Sequence, residues 1–213
     1  MNFTLLDSLD YASVLVFALT GALAASRSQL DIVGFIFIAS LTALGGGTLR
    51  DALLHREIFW VDDPLTLAVA TLAAVLVFFA AHLLESRYRA LLWFDAAALA
   101  VAVPAGVAVA LAEGQSWPIV IVMGVITGSM GGLLRDVVCN EVPLILKQGE
   151  LYATCALAGL IAAVAAIGLG LPQGLSLILC ASVVLSLRAG SIALGWRLPV
   201  YRSQPPSPGA PKR

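Results

Sequence analysis

Two stretches of this chain place an arginine and an aspartate side by side just beyond a run of glycines. The first is Gly45-Gly46-Gly47-Thr48-Leu49-Arg50-Asp51, and the second is Met130-Gly131-Gly132-Leu133-Leu134-Arg135-Asp136. Both lie in apolar sequence. A charged side chain at the centre of a bilayer costs about 2.5–3.5 kcal/mol even on the permissive insertion scale, so two arginines and two aspartates at matched positions are expected to avoid lipid. Fixed charges of both signs in such surroundings brace a fold or line a route for ions. They are not a set for acid–base or nucleophilic catalysis. The two histidines and three cysteines (Cys139, Cys155, Cys180) have no metal-ligand spacing, and there is no Gly-x-Ser-Gly element. No enzyme, metal or cofactor is expected. The cysteines sit in apolar stretches and read as buried free thiols.

The elements that must hold these charges are membrane helices. Of 213 residues, 60% are hydrophobic and 12% charged, against roughly 25% charged in an ordinary soluble domain. Leu65–Leu84 runs without an acid, lysine or arginine, matching the ~20 residues needed to cross a bilayer. The net charge of −1 offers no basic field for nucleic acid. The first residues carry no Lys/Arg-rich leader, so no cleaved signal peptide is expected.

Charges and turn residues divide the chain into apolar segments at about 9–26, 32–60, 64–84, 91–111, 118–146, 150–170 and 173–195. This predicts an all-α integral membrane protein with seven transmembrane helices in one transmembrane domain, residues 1–200. The tail, 201–213, contains Pro205, Pro206, Pro208 and Pro211 and is expected to be disordered. Trp60, Trp93, Trp117 and Trp196 fall at segment ends, where an aromatic belt would sit. Arg27, Arg87, Arg89, Lys147, Arg197, Arg202, Lys212 and Arg213 fall on one face, with Arg50 and Arg56 on the other. The richer face should be cytoplasmic, which puts the N-terminus outside and the C-terminal tail in the cytoplasm.

A shift of 85 residues aligns the chain with itself without a gap: Asp10 on Asp95, Val16 on Val101, Gly21 on Gly106, Ile36 on Ile121, Thr42 on Thr127, and the glycine–Arg-Asp stretches on each other. Repeat one would span 9–84 and repeat two 91–170, with the seventh helix, 173–195, unpaired. Each unit holds three spans, an odd number, so the second must enter the membrane upside down. Inverted repeats of this kind belong to transporters and channels, with the route near the repeat interface.

Segments two and five look too long. Ile32 to Trp60 would extend about 43 Å as a straight helix, against a hydrocarbon core of about 30 Å. Kinks or unwound turns at Gly45, Gly46 and Gly47, and at Gly131 and Gly132, would absorb the excess. Close packing alone is the simpler reading, since Gly124, Gly128 and Gly132 form a small-xxx-small series. Adjacent helical residues do not face each other. Arg50 is therefore expected to pair across the repeats with Asp136 or Asp95, and Arg135 with Asp51 or Asp10. Asp10 and Asp95 open the first helix of each repeat, where an acid caps well. Arg188, inside the seventh segment, could line an inner vestibule or bind lipid phosphate. Thr20, Ser40 and Thr42 carry hydroxyls that either coordinate an ion or satisfy nearby backbone.

The doubled glycine–Arg-Asp motif, followed by Phe59-Trp60 in the first copy and Asn140-Glu141-Val142-Pro143-Leu144 in the second, resembles the prokaryotic trimeric intracellular cation (TRIC) channels. That family also carries glycine-transporter and UPF0126 labels. The resemblance covers residues 5–195. It implies a homotrimer in the prokaryotic inner membrane and a potassium-permeable route inside each subunit. Gly45, Gly46, Gly47, Gly131 and Gly132 would be kink residues, with Arg50, Asp51, Arg135 and Asp136 lining or bracing the pore. Met130 replaces the first glycine of the second motif. A secondary transporter of a small solute such as glycine would use the same architecture and stays open here. Membrane lipid is the other partner expected.

Overall fold

The computed structural model describes residues 5–83 and 86–199. The proline-rich tail from Tyr201 lies outside the described residues. Within them the chain is helical, apart from one isolated antiparallel bridge between Glu150 and Arg197. The helices are α1 (Leu5–Arg27), α2 (Ile32–Leu53), α3 (Phe59–Asp62), α4 (Leu65–Ala80), α5 (Arg87–Ala112), α6 (Trp117–Val138), α7 (Ala153–Gly168) and α8 (Gln173–Leu194). Short 3-10 turns follow α4 at Ala81–Leu83 and precede α7 at Leu144–Leu146. Among the described residues, six helices are long and apolar enough to cross a membrane, and α7 is a shorter apolar one.

The long segments two and five are resolved differently from the sequence expectation. Each is a full-length span that simply ends: α2 stops at Leu53 and α6 at Val138. The helical run continues through Gly45–Gly47 and through Gly131–Gly132, so no unwound turn occurs at the glycines. The excess residues form the connections to Phe59 and Leu144 instead. Asp10 and Asp95 also lie inside α1 and α5, past their first turns, and do not cap them.

Helices α1 and α5 pack against each other at the centre, with α2 and α4 against α1, and α6, α7 and α8 against α5. In lipid, close van der Waals approach drives helix association, which favours small residues at interfaces. The buried face of α5 fits this: Ala96, Ala98, Ala100, Ala102, Ala105, Ala108 and Ala110 are all buried. Bulky apolar side chains point outward instead, among them Val33, Phe37, Leu72, Leu76, Phe79 and Ile161. Charge is turned inward: Arg50, Asp51, Asp95, Arg135, Asp136 and Arg188 are buried. A soluble domain shows the reverse pattern.

Helices α1 and α5 run antiparallel. The start of α1 and the end of α5 line one cavity together, through Asp10 and Glu113. At the other end, Arg87 at the start of α5 donates to the carbonyl of Ser26 near the end of α1. Asp10 and Asp95 therefore sit at opposite ends of the bundle.

Candidate functional site

The first charge network closes the C-terminal end of α2. Arg50 donates through Nε to Asp51 Oδ1 at 2.7 Å and through Nη2 to Asp51 Oδ2 at 3.2 Å. Its other edge holds Asp10, Nη1 to Oδ1 at 2.9 Å and Nη2 to Oδ2 at 3.4 Å. The guanidinium lies 5.6 Å from the Phe59 ring centroid, and Arg56 Nε approaches Asp51 Oδ1 at 3.7 Å.

The second network repeats this plan 85 residues later. Arg135 Nε donates to Asp136 Oδ1 at 2.8 Å, and Nη1 to Asp95 Oδ1 at 3.1 Å. Arg50 thus pairs with Asp51 and Asp10, and Arg135 with Asp136 and Asp95, which corrects the expected cross-pairing of Arg50 with Asp136 or Asp95 and of Arg135 with Asp51 or Asp10. The reason lies in the length of arginine. Adjacent Cβ atoms on a helix diverge, yet the side chain is long enough to fold back so that Nε meets the next residue's carboxylate. Asp51 and Asp136 in turn have little freedom, because each accepts a backbone N–H from the returning chain: Phe59 at 3.0 Å and Leu144 at 2.9 Å.

The two connections bend alike. His55 and Asn140, also 85 apart, adopt left-handed backbone with φ 56° and 55°. The N–H groups of Leu54 and Cys139 bond back to Arg50 and Arg135, and those of Arg56 and Glu141 to Asp51 and Asp136. This is the usual way to satisfy the last carbonyls of a helix. It also aims Phe59 and Leu144 back at the carboxylates.

Midway between the networks, the glycines let α2 and α6 touch. A methyl group on Gly46 would overlap the carbonyl oxygen of Thr127, and one on Gly131 would overlap that of Thr42. The contact is reciprocal, since Thr42 and Thr127 correspond and so do Gly46 and Gly131. Each threonine hydroxyl bonds its own helix, to Ile38 at 2.6 Å and to Met123 at 2.7 Å. Each also fills the space left by a glycine of the central pair: a methyl on Gly21 would lie 2.6 Å from Thr42 Oγ1, and one on Gly106 at 2.6 Å from Thr127 Oγ1. Thr20 likewise bonds backbone, at Phe17. Gly45 faces Leu134, and Gly47 makes room for the Phe59 ring.

The networks differ in exposure. Asp10 keeps 17% of its side chain accessible, while Asp95 and Arg135 keep none. Asp10 opens on a cavity of about 290 Å³ lined by Asp7, Glu57, Asp62, Asp63 and Glu113, with Arg56 among them and Tyr11 donating to Asp63. At the other end Asp95 Oδ2 and Arg135 Nη2 meet no hydrogen-bond partner among the described residues. Each such buried group costs about 1–3 kcal/mol, and more when charged. Arg188 is buried as well. Its guanidinium lies 5.0 Å from the Tyr152 ring centroid, and Nη1 is 3.6 Å from Glu150 Oε2.

Cys155 and Cys180 are buried, whereas Cys139 is half-buried. Burial pushes the Cys139 thiol up, and a hydrogen bond with Ser28 works against that shift. Sequence reasoning passed over the acids of the cavity because the sidedness count used only lysine and arginine. Asp62, Asp63 and Glu113 could have been found by asking which turn between apolar segments collects carboxylates. Tyr152 carried no comparable signal.

Comparison with known proteins agrees with this layout. The profile of a family described as "Glycine transporter" matches twice, over residues 7–82 and 92–167. A UPF0126 membrane protein of Vibrio cholerae is 37% identical over 94% of this chain and 84% of its own length. The UPF0126 inner membrane protein YadS of Escherichia coli is 37% identical over 91% of this chain and 94% of its own. The solved structure of the TRIC trimeric intracellular cation channel orthologue from Rhodobacter sphaeroides superposes with a TM-score of 0.87 and 41% identity, covering 90% of this chain and 99% of that one. These similar structures are ion channels, not enzymes. The chain belongs to the prokaryotic TRIC family, whose members also carry the UPF0126 and glycine-transporter labels.

Proposed function

We propose that the chain, as a member of that family, is a monovalent-cation channel of the prokaryotic inner membrane that conducts potassium through a route inside each subunit of a homotrimer. The observation that carries this reading is the cavity at Asp10. Its carboxylates give one mouth of the bundle a negative field, and a concave acidic site raises the local concentration of cations. We place the route beside the small and polar contacts that link the two networks: Gly21 on Thr42, Gly46 on Thr127, Gly131 on Thr42 and Gly106 on Thr127. Buried charges in a membrane protein commonly mark such a route. The Rhodobacter relative, a trimeric intracellular cation channel orthologue, supports the same reading.

Two oppositely inserted three-helix units, related by the 85-residue shift, account for the reciprocal glycine–threonine contacts and for the antiparallel α1 and α5. Helix α8 stands outside the repeat. The glycines act as close-packing points for α2 and α6, bracing the route that the Arg–Asp networks hold at each end. The acidic mouth faces outward, with the N-terminus, and the Arg- and Lys-rich end faces the cytoplasm. Lipid fills the outer apolar surfaces.

Single-channel recording of the purified protein in planar bilayers tests this. Discrete current steps that reverse at the potassium equilibrium potential are expected. Saturable, counter-ion-coupled uptake of glycine without current steps would establish the carrier that the family's other label names.

A further inference from the structure

The two ends of the proposed route are built from equivalent residues, yet only one is open. At the first end, the place of the returning chain over the network is taken by Phe59, and Asp10 remains accessible from the acidic cavity. At the second, an extra pair covers the network. Tyr152 is 2% exposed. The Cβ position above Gly132 lies 3.5 Å from the Tyr152 hydroxyl, 3.4 Å from Asp95 Oδ1 and 3.7 Å from Arg135 Nη2. The tyrosine therefore sits directly against the second network. Arg188 of α8 stacks on the same ring, 5.0 Å from its centroid.

Neither member of this pair has a counterpart in the first copy. The position 85 residues before Tyr152 is Leu67, and α8 has no partner helix. Beside the pair runs a strap made by the chain after α8. Gly195 turns with φ 70°, Trp196 packs its ring onto Gly190, and Ser191 Oγ donates to the Trp196 carbonyl at 3.2 Å. Leu198 N–H then bonds the carbonyl of Gly149 at 2.9 Å, beside the Glu150–Arg197 bridge. Glu150 is in turn the carboxylate that faces Arg188.

The closed arrangement leaves polar groups short of partners. Asp95 Oδ2, Arg135 Nη2 and the Nε and Nη2 atoms of Arg188 are buried without an acceptor or donor among the described residues. In the first copy the corresponding Arg50 Nη2 and Asp10 Oδ2 bond each other at 3.4 Å. Water reaching these groups would supply the partners that the closed arrangement lacks.

We propose that Tyr152 and Arg188 are the occluding pair that shuts the cytoplasmic end of the route, with the 195–198 strap as its latch. This deepens the channel reading above and rests on it. Motion of the strap away from Gly149 would release Tyr152 from Gly132 and admit water to Asp95 and Arg135.

The test pairs flux with accessibility in the full chain. Tyr152→Ala and, separately, Arg188→Gln should each raise potassium flux into proteoliposomes by roughly tenfold, the scale of one lost contact to a charged group. Leu67→Ala, the matched position in the first copy, should leave flux unchanged. In parallel, Gly132→Cys is placed in a background where Cys139, Cys155 and Cys180 are replaced by alanine, and its reaction with a charged methanethiosulfonate reagent is timed. The thiol should be protected with Tyr152 present and react at least several-fold faster with Tyr152→Ala or Arg188→Gln. Because this readout does not need current, it separates the two proposals. Faster labelling without flux in any variant would refute the channel and keep the occlusion. A conducting wild type whose flux and labelling are both unmoved by either substitution would overturn the occluding pair and leave the channel standing. Should Tyr152→Ala fail to assemble, Arg188→Gln decides the question alone.

Discussion

Asp51 accepts the backbone N–H of Phe59 through Oδ2 at 3.0 Å, eight residues along the chain. The same carboxylate takes two bonds from Arg50. One aspartate therefore ties a helix end, a buried arginine and the returning chain into a single unit, and Asp136 does the same with Arg135 and Leu144. Asp51→Ala removes one of the two carboxylates that hold a guanidinium whose side chain is fully buried. Breaking a buried pair from one side costs about 3–5 kcal/mol. Asp51→Ala and Asp136→Ala should each lower the thermal midpoint in detergent sharply, and Asp51→Asn less, because the amide oxygen still accepts the Phe59 N–H. Equal midpoints for Ala and Asn at position 51 would contradict the capping role.

The pairing is local to each network, and a double-mutant cycle can read this directly. Arg50→Met with Asp10→Leu should show a coupling of about 1.5–3 kcal/mol, the range for hydrogen bonds to charged groups. Arg50→Met with Asp95→Leu should be additive within about 0.5 kcal/mol, as expected of sites at opposite ends of the bundle. The cycle is read from denaturation of the purified protein. Strong coupling of Arg50 with Asp95, and none with Asp10, would restore cross-pairing.

Two kinds of glycine in this chain differ in a way that can be measured. Gly46 and Gly131 leave no room for a methyl group, because the obstacle in each case is a backbone carbonyl of the opposing helix. Gly46→Ala and Gly131→Ala should each destabilise by about 1–3 kcal/mol through overpacking, and reduce flux as α2 and α6 are pushed apart. Gly174, inside α8, has nothing within 4 Å of its Cβ position. There Gly174→Ala should be neutral or stabilising by up to about 1 kcal/mol, the difference in helix propensity. Thermal shift and flux on the three variants check the contrast.

Much of this layout was legible from residue types that are rare in apolar sequence. Asp10, Gly21, Thr42, Arg50 and Asp51 stand out against leucine and alanine, and their reappearance at Asp95, Gly106, Thr127, Arg135 and Asp136 located both networks. What stayed hidden was how side chains reach. The rule that neighbours on a helix diverge describes Cβ directions, and Arg50 overrides it by folding Nε back onto Asp51. The ends of α2 and α6 were hidden too, because His55 carries no turn signal and neither connection contains glycine. Asn140, a residue that tolerates left-handed backbone, was the readable sign that segment five stops there. Glycine counts pointed to bending, yet an opposing helix can use the same missing side chains for contact, and only the position of the Thr127 and Thr42 carbonyls decides between the two.

The acidic mouth makes the last prediction, and salt is its control. Asp62, Glu57 and Glu113 line the cavity that reaches Asp10. If they act by concentrating cations, their effect is a field effect, and it must fade as the Debye length shrinks from about 30 Å at 0.01 M to about 3 Å at 1 M. Asp62→Asn with Glu113→Gln should cut single-channel potassium conductance by roughly two- to fivefold in about 10 mM KCl and by little in 1 M KCl, with the open-state reversal potential still set by potassium. A structural role would behave differently, lowering conductance by the same factor at both concentrations, since a distorted route does not mend in salt. The comparison therefore separates a surface field from damage to the fold, using the one variant and two solutions.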